Sequence, residues 1–185
     1  MIERLTEGFA WAKRFEDQGG QSLVEFAFCL ATLIPLLFGV IDFSQMILDE
    51  HILVGLSRQG SNIASRTTDL PSALAAVVSQ GASLDIADRG EIIVTEVRNS
   101  GNNVKGTAQV IDQTQTPTSI SPAPVSVVGS VIGKAATMPP GAVAALDAGE
   151  TLYVTEVFYS YKPLTPVGAF LKQSLAFTMS QAAYF

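Results

Sequence analysis

The feature that most constrains this chain is an apolar run from Leu23 to Ile41 whose only charged residue, Glu25, lies near its start. A run of this length is sufficient to cross a hydrocarbon core of about 30 Å as a helix. A charge within the bilayer costs about 3 kcal/mol or more, and such charges persist mostly where function or a partner holds them. The sequence therefore predicts a transmembrane helix that carries a functional glutamate.

The residues around this run favour a retained anchor over a removable secretory signal. An ordinary signal peptide has a short basic start, a shorter apolar core and a small-residue cleavage site. Here the leader mixes both signs of charge, and the run ends in Gly39-Val-Ile-Asp42 without such a site. Lys13 and Arg14 precede the run, whereas the next Lys or Arg after it is Arg58. This distribution predicts a cytoplasmic N-terminus and an exported C-terminal part.

Composition excludes several classes of function. The 185 residues suffice for an anchor and one modest domain. A net charge of -6 argues against a nucleic-acid partner, because no basic stripe is present to contact phosphates. A single cysteine, Cys29, excludes an internal disulfide, and a single histidine, His51, excludes a two-histidine metal centre. With no Gly-x-Ser-x-Gly motif, we expect no catalytic residues, no cofactor and no metal.

Helical periodicity continues beyond the apolar run. Apolar residues recur at helical spacing up to about Arg66, which predicts one helix from Gln21 to Arg66 that is roughly 70 Å long. Its second half carries a stripe of small residues, Ser57, Gly60, Ser61 and Ala64. Small residues let another backbone approach closely. The stripe therefore packs either against the sheet of this chain or against the helix of a partner protein.

The remaining residues predict a small head that combines helix and sheet. Asp69 and Pro71 mark the start of a short helix over 70–80. Patterns typical of strands occur at 91–97, 104–111, 152–161 and 175–184, and 125–132 is interpreted as a strand or an extended edge. The fold class is therefore α+β, with a long N-terminal helix packed on a small, mostly antiparallel sheet.

One four-residue sequence occurs twice in the predicted head. Val94–Val97 and Val154–Val157 both read Val-Thr-Glu-Val. The repeat reflects either common strand composition or two neighbouring strands that present Glu96 and Glu156. No calcium-binding loop pattern accompanies these two acidic residues.

The ordered set of N-terminal motifs resembles the TadE-like family of pseudopilins, from the Tad branch of type IVb pilus systems. The matching positions are Gly20, Leu23-Val-Glu-Phe-Ala27, the apolar run with Pro35, Gly39-Val-Ile-Asp-Phe43 and Ser57-Arg-Gln-Gly60. A second similarity covers Val154 to Pro166, which resembles the late strand and Pro-Leu-x-Pro turn of such proteins.

The resemblance implies processing and a role in assembly for the first residues. A prepilin peptidase would cut between Gly20 and Gln21, so that 1–20 is a leader, 21–66 the long helix and 67–185 the exported head. Glu25 would then pair with the amine of a neighbouring subunit and, with Phe26, set subunit register. The alternative for Glu25 is an interfacial residue that favours the positive end of the helix.

The implied function is that of a minor pilin in the initiation, assembly or tip of a Tad pilus, with cell adhesion as the wider process. The implied partners are the prepilin peptidase, other minor pilins, the major Flp-type pilin and the inner-membrane pilus platform. The chain would cross the inner membrane once, with a periplasmic head, and reach the pilus tip after assembly. The competing interpretation is a permanently anchored periplasmic binding domain outside any pilus.

Overall fold

The structure, a computed structural model, describes residues 3–67, 69–100, 108–139, 141–142, 146–166, 168 and 177–185, with side chains from Gly20 onwards. Helix α1 (Glu3–Thr67) precedes helix α2 (Leu70–Gln80), a 3-10 turn (Gly81–Leu84) and the short helix α3 (Ile86–Arg89). Four strands follow: β1 (Gly90–Asn99), β2 (Ala108–Gln115), β3 (Thr151–Ser160) and β4 (Thr178–Tyr184). The predicted α+β class is confirmed.

Helix α1 changes from exposed to buried along its length. Apolar side chains such as Leu23, Phe28 and Leu36 are exposed, whereas Leu53 and Leu56 are buried in the head. The helix runs without a break through Pro35. It begins at Glu3, not at the predicted Gln21, because the leader is rich in good helix formers that extend the helix upstream.

The four strands form one antiparallel sheet in the order β2-β1-β3-β4. Helices α1 and α2 cover one face through a core that includes Leu53, Val77 and Val157. Helix α2 begins as predicted, with the Asp69 carboxylate accepting a hydrogen bond from the Ser72 N–H at 3.2 Å.

The opposite face of the sheet is covered by irregular chain. Ile120 packs on Ile93 and Phe158, and Val128 packs near the bulged end of β1. Residues 125–132, predicted as a strand or an extended edge, do not form a strand, because Gly129 has a positive φ angle and Gly133, just after them, has another, so the chain turns out of an extended course.

Two predicted strands are shifted relative to the structure. Strand β2 continues to Gln115, beyond the predicted end at Ile111, and residues 104–107 of that prediction lie outside the described residues. Strand β4 begins at Thr178, and residues 175–176 of its prediction also lie outside them.

Strand β3 runs back along α1 towards the apolar half of that helix. Thr155 in β3 lies at the level of Ser61, and Tyr161, just after β3, lies at the level of Asp42. The residues that follow β3 are therefore brought to the end of the predicted transmembrane run. This course positions the contact described next.

Candidate functional site

The predicted processing site lies on an exposed part of α1. A Cβ added at Gly20 would meet no atom within 4 Å. Glu25 is exposed and accepts a hydrogen bond at 3.1 Å from the Gln21 side chain, one helical turn earlier. Phe26 is 64% exposed. No described residue of the head covers this turn, so its polar and apolar groups are accessible to another protein.

A second site joins α1 to the loop that follows β3, residues 161–166, which we name the 161–166 loop. The carboxylate of Asp42 accepts hydrogen bonds from the backbone N–H groups of Leu164 at 3.0 Å and Thr165 at 2.9 Å. It also accepts one from the Thr165 hydroxyl at 2.6 Å. The Tyr161 hydroxyl donates to the Asp42 carbonyl oxygen at 2.8 Å. We call this set of four bonds the Asp42 contact.

Gly168 supports the Asp42 contact without bonding to Asp42 itself. Its N–H donates to the Thr165 hydroxyl oxygen at 3.2 Å, which leaves that hydroxyl hydrogen directed at Asp42. A Cβ on Gly168 would lie 2.1 Å from a carboxylate oxygen of Asp42. Only glycine therefore fits at this position without displacing the carboxylate.

The surroundings of the Asp42 contact favour an ionised Asp42 carboxylate as the acceptor and a neutral Tyr161 hydroxyl as a donor. Partial burial alone would raise the pKa of the Asp42 carboxyl, but the hydrogen bonds from Thr165 and Leu164, together with the nearby backbone N–H of Gly168, outweigh it and hold the pKa below its ordinary value. Burial raises the pKa of Tyr161, and the nearby Asp42 and Asp49 carboxylates raise it further. Near neutral pH, Asp42 is thus a carboxylate and Tyr161 a neutral hydroxyl donor.

The small-residue stripe of α1 packs against the sheet of this chain, which is one of the two alternatives left open by the sequence. Ser57, Ser61 and Ala64 are almost completely buried there. A Cβ added at Gly60 would lie 2.6 Å from the Thr155 Cγ2. The close approach of α1 to β3 therefore requires glycine at this position.

Ser61 bonds two strands at once. Its hydroxyl accepts a hydrogen bond from the Thr155 N–H at 2.9 Å and donates one to the Ala183 carbonyl at 2.8 Å. Thr155 and Ala183 are register partners on β3 and β4. The helix is thus hydrogen-bonded to the ladder of the sheet as well as packed on it.

The repeated Val-Thr-Glu-Val sequence lies on the neighbouring strands β1 and β3, yet its two glutamates do not form a shared site. Glu156 is buried, and its carboxylate accepts hydrogen bonds from the Ser126 hydroxyl and, at 2.8 Å, from the Val127 N–H. Glu96 forms an ion pair with Arg98 at 2.9 Å. Glu156 therefore holds the irregular segment that covers the sheet.

The Asp42 contact was not predicted from the sequence, although both of its partners lie in motifs that the sequence analysis noted. Asp42 belongs to the Gly39–Phe43 motif, and Thr165 belongs to the Pro-Leu-x-Pro turn. Asp42 and Thr165 are 123 positions apart in the sequence. No local pattern connects two positions so far apart.

The structure has a pilin-like architecture: a long N-terminal helix is apolar and exposed in its first half and packs on a small antiparallel sheet in its second. By length and composition this helix could span a membrane. Residues 20–62 match the family model described as TadE-like protein. The resemblance predicted from the sequence is confirmed over that segment, which includes Gly20, Glu25, Asp42 and all of the small-residue stripe except Ala64. Neither a curated protein nor a solved structure matches the chain.

Proposed function

We propose that this chain is a minor pilin that a prepilin peptidase cuts between Gly20 and Gln21 and that then takes part in the initiation, assembly or tip of a Tad pilus. The observation that carries the proposal is the exposed stretch of α1 from Gly20 to Phe26. It lies at the start of the apolar run, within the segment that matches the TadE-like family. We assign the chain a role in recognition and assembly, without catalysis of its own.

Charge at this turn supports the proposed assembly step. Glu25 is one helical turn after Gln21, and cleavage would give Gln21 a free amine. In a bundle of pilin helices, that amine and the Glu25 carboxylate of a neighbouring subunit would meet in a medium of low dielectric. Their attraction would offset the cost of burying either charge and would select one axial register.

The attachment of the head supports the same role. The Asp42 contact holds the head at one end of the packed part of α1, and the Ser61 bonds hold it further along the helix. Helix and head are thus connected at two levels. The helix would contact other minor pilins and the major Flp-type pilin, while the head, exported to the periplasm, would stay in a defined orientation relative to them. The inner-membrane platform would bind the chain by contacting α1.

The cleavage step can be tested by replacing Gly20 with valine. In cells that make the complete pilus machinery, we expect the natural chain to lose residues 1–20 and the Gly20→Val chain to keep them. Gly39→Val is a matched control, because Gly39 is also a helical glycine of α1 with no atom within 4 Å of an added Cβ. Intact-mass measurement of the membrane-purified proteins checks all three. A natural chain that still begins at Met1 would reject the proposal.

The assembly step can be tested by replacing Glu25 with glutamine. We expect Glu25→Gln to be cut normally but to lose co-purification with other pilins, because it keeps the shape of the side chain and removes its charge. Glu50→Gln is the control, since Glu50 is an exposed acid elsewhere on the same helix. Equal pilin recovery with Glu25→Gln and with the natural chain would contradict the register role.

One observation favours the alternative, a permanently anchored periplasmic binding domain. An open groove of about 480 Å³ lies between α1, the end of α2 and β4, and its lining includes Arg58, Asn62 and Tyr184. Its volume falls in the range of small-ligand sites. The same intact-mass measurement separates the alternatives, because a permanent anchor needs no cut after Gly20.

A further inference from the structure

We propose that the 161–166 loop makes a second contact with the lipid bilayer, with Leu164 entering the headgroup region where α1 leaves the membrane. This goes beyond the pilus role and rests only on the part of the proposed function in which α1 crosses a membrane. The partner is a phospholipid surface.

The Asp42 contact determines the level of the loop. Asp42 is the first residue after the predicted transmembrane run, and the Leu164 N–H lies 3.0 Å from its carboxylate. The loop backbone is therefore held at the end of the run. Strand β3 enters this loop after running back along α1, so the loop is the part of the described head nearest the membrane.

Side chains in the loop alternate between two environments. Tyr161, Pro163 and Thr165 are buried against the protein, whereas Lys162, Leu164 and Pro166 are exposed. Leu164 is 71% exposed, and the tight turn around Asp42 leaves it on the outside. At a membrane surface, Leu164 would leave water for the acyl boundary, and the Lys162 ammonium could reach lipid phosphate.

The exposed apolar surface of α1 continues past Asp42. Phe43 is 59% exposed and Leu48 53% exposed, both within two helical turns after Asp42. Leu164 is thus exposed close to Asp42, where the apolar surface of α1 continues from the membrane-crossing run. This continuity is why we assign lipid, and not another protein, as the partner of Leu164.

Environment-sensitive labels can test the contact on the full chain. In a Cys29→Ala background, Leu164→Cys and Val125→Cys are each labelled with a nitrobenzoxadiazole dye. Val125 is the matched control, because it is also 71% exposed and belongs to the segment that contacts Glu156. Glu156 lies four residues before Ser160, the last residue of β3. Four strand residues span roughly 13 Å, so Glu156 is farther from the 161–166 loop than the end of β3 by about that distance.

Each protein is placed, one copy per disc, in nanodiscs of phosphatidylcholine and phosphatidylglycerol, with or without lipid that carries a headgroup nitroxide. We expect the label at residue 164 to emit at shorter wavelength than the label at 125 and to be quenched several-fold by the nitroxide lipid. The label at 125 should be almost unaffected. Similar emission and quenching at both positions would overturn the contact, and so would a blue shift at 164 without quenching.

The natural Cys29, labelled in the otherwise unchanged chain, separates this inference from the proposed anchor. A Cys29 label that is shielded within the bilayer, together with an unquenched label at 164, would overturn the loop contact alone. A Cys29 label that remains in water would overturn both the anchor and the loop contact.

Discussion

The Thr165 hydroxyl gives the sharpest test of how the head is attached to α1. It donates to the Asp42 carboxylate at 2.6 Å and accepts from the Gly168 N–H at 3.2 Å, and Thr165 is 6% exposed. Thr165→Val keeps the shape of the side chain and removes both bonds. The carboxylate retains the two backbone donors, so the contact should weaken without being abolished.

The magnitude follows from the two lost bonds. A hydrogen bond to a charged group contributes about 1.5–3 kcal/mol, and a buried N–H left without its acceptor costs about 1 kcal/mol or more. Because Asp42 is only partly buried and water can replace part of the lost donor, we expect about 2 kcal/mol for the local opening of the loop. This corresponds to roughly a 30-fold change in the opening equilibrium.

Amide hydrogen exchange measures that equilibrium directly. The N–H groups of Leu164 and Thr165 are both bonded to Asp42, so their exchange reports the opening of the Asp42 contact. Thr151→Val is the control, because its hydroxyl accepts only an exposed bond from Arg98. Unchanged exchange at the two amides in Thr165→Val, relative to the natural chain and to Thr151→Val, would refute the reasoning.

Two further predictions concern packing and pH. Gly60→Ala should lower the free energy of unfolding by about 1–3 kcal/mol, because the added Cβ would collide with Thr155. Gly55→Ala, whose added Cβ meets no atom within 4 Å, should be neutral or stabilising. Thermal melts in detergent check both variants. The Asp42 contact should be complete above the ordinary carboxyl pKa of 3.8 and open as pH falls through the lower pKa of the folded state. The protection factor of the Leu164 amide, which is its intrinsic exchange rate divided by the observed rate at each pH, should show this dependence and lose it in Asp42→Asn. Equal melting of the two glycine variants, or a pH-dependent protection factor that persists in Asp42→Asn, would contradict these predictions.

Local sequence patterns predicted much of the architecture. The apolar run predicted a membrane-length helix, and Asp69 with Pro71 predicted the start of α2. The strand patterns of β1 and β3 were predicted to within a few residues. Each of these patterns depends on residues that are close in sequence, since helical and strand periodicity arise from backbone geometry alone.

The predictions were less accurate where glycine conformation determines the path of the chain. Residues 125–132 are apolar and β-branched enough to indicate a strand, but Gly129 and Gly133 adopt positive φ angles and turn the chain. The buried Glu156 then holds the segment through Ser126 and Val127. Strand propensity was therefore overridden by turns and by a distant carboxylate.

The sequence by itself determined that a long, partly apolar helix precedes a small α+β head, and that Gly20, Gln21, Glu25 and Phe26 lie at the start of the apolar run in the order of a TadE-like protein. Only the tertiary structure decided that the small-residue stripe packs on this chain's own sheet and that Asp42 binds the 161–166 loop. Both decisions depend on contacts between residues about 90 to 125 positions apart. Such contacts form only when the whole sheet has brought the two segments together, so no local pattern could predict them.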